Sequence, residues 1–292
     1  MQKTFIFLLF IAMFFWGLSW PLSKILSSMH SPFIVAFGRF ALVAICLLPL
    51  IKYKNLSLKI PRNCLKWLCV CVFANALYSF VFFYAINLGN AGSAGVITTT
   101  LSPILATLLS VVFFRNILTY REILGLFMGL ISGVFFLSGA ESLLNTFNLF
   151  FIFAAFLWAL VTISTRKLNL HPLILNFYTS LFSAILFVPF LSGTDFVGFA
   201  DAKSLVFLAI VAIFSTIFGT SIYYQSIAVL GVMKSSCFTL LVPFFAVILS
   251  FVILGEKPEL STAIGGILAI VSIYLISLYN KNHFKFFERF FK

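Results

Sequence analysis

The sequence predicts an all-α integral membrane protein whose ten transmembrane helices form two inverted five-helix repeats, with both termini in the cytoplasm. Three observations support this fold class. The chain of 292 residues is 62% apolar and only 9% charged, whereas soluble domains average about 45–50% apolar and about 25% charged residues. Its apolar residues fall into ten runs, and the two halves of the chain match each other in sequence. A composition of this kind excludes most soluble enzymes, nucleic-acid binders and secreted disulfide scaffolds.

Each of the ten apolar runs has about the 20 residues that a helix needs to cross a bilayer. In the first half the runs cover residues 5–25, 32–51, 67–87, 92–114 and 122–139. In the second half they cover residues 148–165, 172–191, 204–229, 232–254 and 260–279. We expect the first run to be a span and not a signal peptide, because it lacks a small-residue cleavage site and nine further runs follow it.

The positions of lysine and arginine predict the orientation of the chain. If the N-terminus is inside, fifteen of these residues lie on the cytoplasmic side and only Lys24, Lys203 and Lys257 lie outside. Because positively charged short loops stay in the cytoplasm, both termini are predicted to be cytoplasmic. Omitting one span would erase this asymmetry, so the same count favours an even number of helices.

The last twelve residues, 281–292, are predicted to form a basic amphipathic cytoplasmic tail. Phe284, Phe287 and Phe291 recur at helical spacing, and four basic residues lie on another face. Such a tail would lie along the anionic inner leaflet. The alternative is a frayed basic end that only enforces the topology.

A shift of 140 residues aligns the second half of the chain with the first. Residues 99–132 then show nine identities with residues 239–272 without a gap. The identities include Thr99 with Thr239, Pro103 with Pro243, Gly125 with Gly265, and Ser132 with Ser272. Trp16 meets Trp158 at a shift of 142. The predicted repeats cover residues 1–140 and 147–280.

An odd number of spans in each repeat has a geometric consequence. The second repeat must enter the membrane upside down, which places a pseudo-two-fold axis in the membrane plane and a shared site near the midplane. Two similar halves that face opposite ways can exchange conformations. The duplication therefore predicts a site that opens alternately to the two sides of the membrane.

Five segments in chain order carry a family resemblance. They are residues 16–24 (WGLSWPLSK), 32–40 with Arg39, 100–103 (TLSP), 240–243 (LLVP), and 254–258 (LGEKP) followed by Gly265-Gly266. Together they resemble the drug/metabolite transporter superfamily and its EamA-type ten-helix members, which include bacterial exporters of amino acids and other metabolites. The first half departs from the closing pattern, because it has Arg115-Asn116 where the second half has Gly255-Glu256.

The resemblance implies a central cavity surrounded by the first, third, fourth, sixth, eighth and ninth helices. Polar and aromatic residues on these helices are then the candidates for substrate binding. They are Trp16, Trp20, Asn75, Tyr78, Thr99, Trp158, Tyr224, Lys234, Ser235 and Thr239. For each hydroxyl the alternative is a bond to a backbone carbonyl one turn back, and for Trp16 and Trp158 it is packing in the core.

Two prolines and three charged residues have separate roles. Pro103 and Pro243 interrupt the helical hydrogen bonds at matched positions, which predicts hinges. Arg39 lies seven residues past Pro32, about 10 Å into the membrane, and is predicted to be structural, as is Glu256. Lys234 is predicted either to hold a carboxylate or phosphate or to set the topology.

The acids and histidines all lie at span ends, in loops or in the tail. Proton-driven carriers normally place such a group at membrane depth. The sequence therefore predicts a uniporter or exchanger, with Glu256 as the one candidate for proton coupling.

The predicted function is secondary transport of small metabolites by alternating access, with amino acids or related zwitterionic or anionic compounds as substrates. Alternatives are an importer or antiporter of nucleotide-derived metabolites such as S-adenosyl compounds, a multidrug exporter, and, in another class, a channel or structural subunit. We expect no enzymatic activity, cofactor, metal ion or nucleic acid, and a multi-pass location in the inner (plasma) membrane. The glycines of the fifth and tenth spans also allow a homodimer.

Overall fold

The computed structural model describes residues 2–88, 91–137, 146–192, 199–255 and 260–278, and within these ranges the regular secondary structure is entirely helical. In chain order the helices are α1 (Gln2–Met29), α2 (Pro32–Tyr53), α3 (Leu65–Leu88), α4 (Ala91–Phe114), α5 (Tyr120–Leu137), α6 (Thr146–Leu168), α7 (Pro172–Phe187), α8 (Ala202–Leu230), α9 (Val232–Leu254) and α10 (Leu260–Ile273). Short helical turns precede α3 and extend α7 and α10.

The helices follow the predicted apolar runs. Within the described ranges, eight helices are long and apolar enough to cross a membrane, and a shorter apolar stretch, Ala263–Ser277, begins in α10 and continues into its extension. An all-helical protein with many membrane spans is thus confirmed, while the count of ten spans stays a prediction. α1 extends beyond its predicted run at both ends, to Gln2 and Met29, because polar residues that flank an apolar run can still continue a helix. Residues 281–292 and Glu256 lie outside the described residues.

Proline and glycine set several of the helix boundaries. α2 and α7 begin with Pro32 and Pro172, whose fixed φ suits the first turn, where a backbone N–H is not needed. α9 ends at Leu254 and is followed by Gly255, which has a φ of 74°, a backbone conformation that glycine adopts without steric cost. Gly231, with a φ of 90°, separates α8 from α9.

The first turn of α8 is fixed by its N-cap residue. Asp201 Oδ1 accepts hydrogen bonds from the backbone N–H groups of Lys203 (2.9 Å) and Ser204 (3.0 Å). Side-chain and backbone hydrogen bonds from Ser204 lower the pKa of Asp201 below its ordinary value. His30, just past α1, has its Nε2 atom 2.7 Å from Ser204 Oγ and 3.6 Å from Asp201 Oδ2. These contacts join the end of α1 to the start of α8.

Helices from the two halves of the chain pack closely against each other. α1 lies against α8 and α9, and α6 lies against α3 and α4. α7 contacts both α2 and α3, α2 also contacts α8, α4 contacts α9, and α5 contacts α10. The pairs are symmetric: if each helix is replaced by its counterpart five places away in the chain, the same set of pairs results. For example, the contact of α1 with α8 corresponds to that of α6 with α3. Each half therefore presents the same helices to the other.

Two hydrogen bonds with the same symmetry join α5 to α10. Ser132 Oγ donates to the Gly265 carbonyl (2.7 Å), and Ser272 Oγ donates to the Gly125 carbonyl (2.6 Å). The two serines are 140 residues apart in the sequence, as are the two glycines. The glycines permit this approach, because a Cβ at Gly125 would lie 2.6 Å from Ile276 Cγ1. The α5–α10 contact is therefore a tightly packed seam between the halves.

We expect the substitutions Ser132→Ala and Ser272→Ala each to destabilise the protein by about 0.6–1.7 kcal/mol, the range of interhelical hydrogen bonds in membrane proteins. Unfolding of the purified protein in detergent measures the loss. Ser226→Ala is the matched control, because within the described ranges the buried Ser226 hydroxyl bonds to a carbonyl of its own helix, that of Tyr223. A loss at Ser226 as large as at the two seam positions would contradict the prediction.

Candidate functional site

A cavity of about 380 Å³ lies at the centre of the bundle. Residues from α1 to α4 and from α6 to α9 line it, so both halves of the chain contribute to its wall. Its volume falls in the range of small-molecule binding sites. The resemblance implied six of these helices, and the structure adds α2 and α7.

One face of α1 forms a continuous wall of the cavity. Trp16, Ser19, Trp20, Ser23 and Ser27 occupy positions i, i+3, i+4, i+7 and i+11, so their side chains lie on one side of the helix. From Trp16 to Ser28 this wall is about 18 Å long at ~1.5 Å per residue. Ser28 is exposed at its far end, whereas the residues below Trp16 include the fully buried Leu9 and Met13. The cavity is thus a pouch that is open toward the end of α1 and closed beneath Trp16.

Aromatic rings form the closed end of the cavity. The Trp16 and Trp158 rings meet edge to face, with their centroids 5.5 Å apart. Tyr78 lies 5.1 Å from Trp158, and Tyr223 lies 5.2 Å from Trp16 and 5.8 Å from Trp158. The first three residues line the cavity, while Tyr223 is fully buried beside them and its hydroxyl bonds to Thr162 (2.9 Å). The aromatic cluster offers flat apolar surfaces on which a planar or cationic group can stack.

A π-helical segment of α8, Val211–Thr220, holds the tryptophan at this end. Trp16 Nε1 donates to the Ser215 carbonyl (2.9 Å), and Gly219 makes room for the indole, since a Cβ there would lie 2.7 Å from Nε1. Asn176 Nδ2 donates to the Thr216 carbonyl (2.8 Å) and to Ser221 Oγ (3.0 Å). Side chains from α1 and α7 therefore satisfy the carbonyls of the widened helix, a feature that is often found at functional sites.

Arg39 of α2 reaches the same segment. Its Nε donates to Thr216 Oγ1 (2.8 Å), and its Nη2 lies 3.4 Å from Ser215 Oγ. The side chain also lines the cavity. Arg39 thus lies on the cavity wall and contacts α8, and the structural role that the sequence predicts for it stays a prediction.

The two predicted hinge prolines lie inside α4 and α9. Pro103 has no N–H to offer the carbonyl of Thr99, four residues earlier, and that carbonyl instead accepts a hydrogen bond from Thr239 Oγ1 (3.1 Å). Just before Pro243, α9 tightens into a 3₁₀ turn at Phe238–Leu240. Both prolines are buried, and whether they act as hinges stays a prediction.

The structure brings seven of the ten candidate binding residues together at the cavity. They are Trp16, Trp20, Asn75, Tyr78, Thr99, Trp158 and Thr239. Tyr224, Lys234 and Ser235 do not line it. Tyr224 and Ser235 are almost fully buried among the helices, and Lys234 lies in the first turn of α9, where its carbonyl accepts a bond from Cys237 Sγ (3.1 Å). The family resemblance indicates the helix on which each of these residues lies, but it does not fix which face of that helix points into the cavity.

Several cavity residues were missed in the sequence. They include the serines of α1, the polar residues Asn176, Thr179 and Ser180 of α7, and Ser215, Thr216 and Thr220 of α8. The polar residues on α1 and on α7 recur at helical spacing, so each set lies on one face of its helix. This spacing is visible in the sequence and predicts a polar face that points into the cavity. Thr98 of α4 also lines the cavity, and its hydroxyl has no partner within the described residues.

The described lining contains no aspartate, glutamate or histidine. Within the same part of the chain, no group of three or more His, Cys, Asp or Glu residues is arranged to hold a metal ion. The lining can therefore bind a ligand through hydrogen bonds from hydroxyls and amides, through aromatic stacking, and through the positive charges of Arg39 and, at the open end, Lys24.

Comparison with known proteins identifies relatives over the whole chain. The model of the EamA-like transporter family matches residues 3–139 and again residues 145–278. An uncharacterized transporter of Archaeoglobus fulgidus is 28% identical over 282 residues, which is 92% of this chain and 95% of that protein. The S-adenosylmethionine/S-adenosylhomocysteine transporter of Chlamydia trachomatis serovar D is 28% identical over 287 residues, 89% of this chain and 85% of that protein.

A solved crystal structure has the same fold. It aligns with a TM-score of 0.80 over 95% of this chain and 98% of its own, at 17% sequence identity. At that identity the likeness shows the fold alone.

The substitution Asn176→Leu is expected to destabilise the protein by about 1–3 kcal/mol, because it leaves the buried Thr216 carbonyl and Ser221 hydroxyl without their donor. Thermal unfolding in detergent measures this effect. The control is Ser79→Ala, since the equally buried Ser79 hydroxyl bonds within its own helix, to the Asn75 carbonyl (2.8 Å). Equal losses for the two variants would show that Asn176 does not support the π-helical segment.

Proposed function

This chain belongs to the EamA-like transporter family, and we propose that it is a secondary carrier, a uniporter or exchanger, that moves small metabolites by alternating access. It is a multi-pass protein of the inner (plasma) membrane. The observation that carries the proposal is the central pouch, which both halves of the chain line and which is closed beneath Trp16. Because its relatives are transporters, we expect no enzymatic activity.

The proposed architecture has ten spans, two inverted repeats at residues 1–140 and 147–280, and both termini in the cytoplasm. Three observations support the duplication. The family model matches the chain twice, the set of contacts between the halves stays the same when the halves are exchanged, and two equivalent hydrogen bonds join α5 to α10. Trp16 and Trp158 meet in space, as do Thr99 and Thr239. Residues related by a two-fold axis meet where they lie close to that axis, so these contacts support a cavity on it. In this orientation the open end of the pouch faces outward.

The proposed substrates are zwitterionic or anionic metabolites that contain an amino-acid group. Two observations favour the alternative substrates, S-adenosyl compounds, which also contain an amino-acid group. S-adenosylhomocysteine is zwitterionic, and S-adenosylmethionine has a further positive charge on its sulfonium. A relative that covers most of the chain is named for S-adenosylmethionine and S-adenosylhomocysteine. The cavity also combines aromatic surfaces, which suit a purine ring, with hydroxyl and amide groups that suit a ribose and an amino acid.

We further propose that transport is not coupled to protons. A proton relay needs a titratable group at membrane depth, and the described cavity lining has no acid or histidine. The gradient of the substrate, or exchange for a second substrate, then drives transport. The membrane potential adds about 2.3 kcal/mol per 100 mV for each net charge that moves.

Uptake into proteoliposomes tests the carrier mechanism. We expect saturable uptake of at least one compound from a panel of amino acids, S-adenosylmethionine, S-adenosylhomocysteine and nucleotides. Unlabelled substrate on the opposite side should accelerate that uptake, and an imposed pH gradient should not change it. Flux without acceleration by internal substrate would indicate a channel, and uptake of one proton with each substrate would refute the uncoupled mechanism.

The aromatic end of the cavity is tested by Trp158→Leu, which should raise the half-saturation constant about tenfold, since loss of an aromatic contact of about 1.4 kcal/mol corresponds to that factor. Trp67→Leu is the matched control, because Trp67 is not a lining residue and contacts Phe113 near the start of α3. Both variants must elute as monodisperse protein. An unchanged half-saturation constant for Trp158→Leu would exclude stacking of the substrate at the aromatic end of the cavity.

A further inference from the structure

We propose that Arg39 binds the carboxylate of the transported metabolite and so selects amino-acid-type substrates over their decarboxylated analogues. The inference rests on the proposed carrier function and assigns the anion site within its cavity. It differs from the role expected from the sequence, in which Arg39 is structural and Lys234 is the candidate anion ligand. Lys234 does not line the cavity, whereas Arg39 does.

The position of Arg39 places a permanent positive charge deep in the bundle. The residue is seven positions past the first residue of α2, about 10 Å along the helix. A charge at this depth is costly unless another group compensates it or water hydrates it. The open cavity supplies hydration in the substrate-free state, and a bound anion would take over that role.

The protein itself supplies no counter-charge to Arg39 within the described residues. Its hydrogen-bond partners there are two neutral hydroxyls, Thr216 Oγ1 at 2.8 Å and Ser215 Oγ at 3.4 Å. A guanidinium has five N–H donors, and the one short contact is made by Nε. The terminal Nη groups form the fork that binds a carboxylate through two parallel hydrogen bonds. Among the described residues they make one hydrogen bond, the long Ser215 contact, and the guanidinium carbon lies 5.7 Å from the centroid of the Phe40 ring.

The surroundings suit a zwitterion. No carboxylate in the described lining competes for Arg39, and the aromatic faces of Trp16, Tyr78 and Trp158 form the closed end of the same cavity. An ammonium or sulfonium group is attracted to such faces. A substrate with both charges can therefore place its anion on Arg39 and its cation on the rings, whereas a purely cationic compound meets Arg39 as a like charge.

A purely structural Arg39 predicts something different. If it only tied α2 to Thr216 of α8, a neutral donor of similar length would replace it, and any damage would weaken transport of all substrates equally. An anion site instead predicts damage that depends on whether the substrate has a carboxylate. The ratio between matched substrates separates the two roles even where overall activity falls.

The experiment compares wild type, Arg39→Gln and Arg39→Lys in proteoliposomes. Each protein is tested with two matched pairs: S-adenosylhomocysteine and its decarboxylated analogue, and an amino acid that the wild type transports and the corresponding amine. We expect the wild type to prefer the carboxylate member by about tenfold or more in kcat/KM, as hydrogen bonds to a charged group imply. Arg39→Gln should reduce this ratio to about one, and Arg39→Lys should retain part of it.

Lys203→Gln is the charge-matched control, because it removes one positive charge from the start of α8, outside the cavity, and should keep the wild-type ratio. An undiminished ratio in Arg39→Gln would overturn the proposal. If that variant does not fold, a wild-type ratio in Arg39→Lys overturns it, because an ammonium cannot reproduce the planar fork. Saturable wild-type transport without preference for the carboxylate refutes the anion site alone, whereas absence of any saturable transport refutes the carrier function.

Discussion

The structure depends on one constraint: in a bilayer, polar groups of the backbone and side chains must find partners inside the protein, because lipid offers none. The helices around the cavity break their own hydrogen-bond ladders at several points, and other helices supply the missing partners. Thr239 bonds to the carbonyl that Pro103 leaves open. Trp16 and Asn176 bond to two carbonyls of the π-helical segment. The irregular backbone therefore lies where neighbouring helices or the cavity can satisfy it, and the same bonds orient the side chains of the site.

Much of the fold was predictable because the membrane imposes a length on each apolar run. The described helices follow the predicted runs, with differences mainly at their ends, where flanking residues such as Ser27 and Ser28 remain helical. Some residues that the 140-residue repeat pairs also meet in the structure, as Thr99 and Thr239 do, and the paired serines Ser132 and Ser272 make equivalent hydrogen bonds across the α5–α10 seam. A repeat in sequence becomes a contact in space only for residues near the axis that relates the halves.

The site was predictable in part. Trp16, Trp20, Asn75 and Tyr78 are large or polar residues in the middle of apolar runs, and such residues need a partner or a cavity. Tyr224, Lys234 and Ser235 lie on helices that the resemblance implied but do not line the cavity, because helix number does not determine which face of a helix points inward. The π-helical segment of α8 has no motif that marks it in a single sequence. Its carbonyls at Ser215 and Thr216 accept hydrogen bonds from Trp16 and Asn176, which lie on other helices and reach it through the packing of the bundle.

In the proposed inverted repeat, α3 is the counterpart of α8, yet α3 is an ordinary α-helix over its described length and only α8 widens at its centre. Arg39 and Trp16 bond to that widened part, and the related positions on α7 and α6 are Thr179 and Trp158, which lack an equivalent charge. The two halves thus differ in their interior residues. Under the proposed alternating-access mechanism, the two states of the empty carrier would then differ in free energy. A difference of about 1.4 kcal/mol would populate one of them tenfold over the other. The half-saturating concentration then differs between the two membrane faces, although the direction of net flow still follows the gradients.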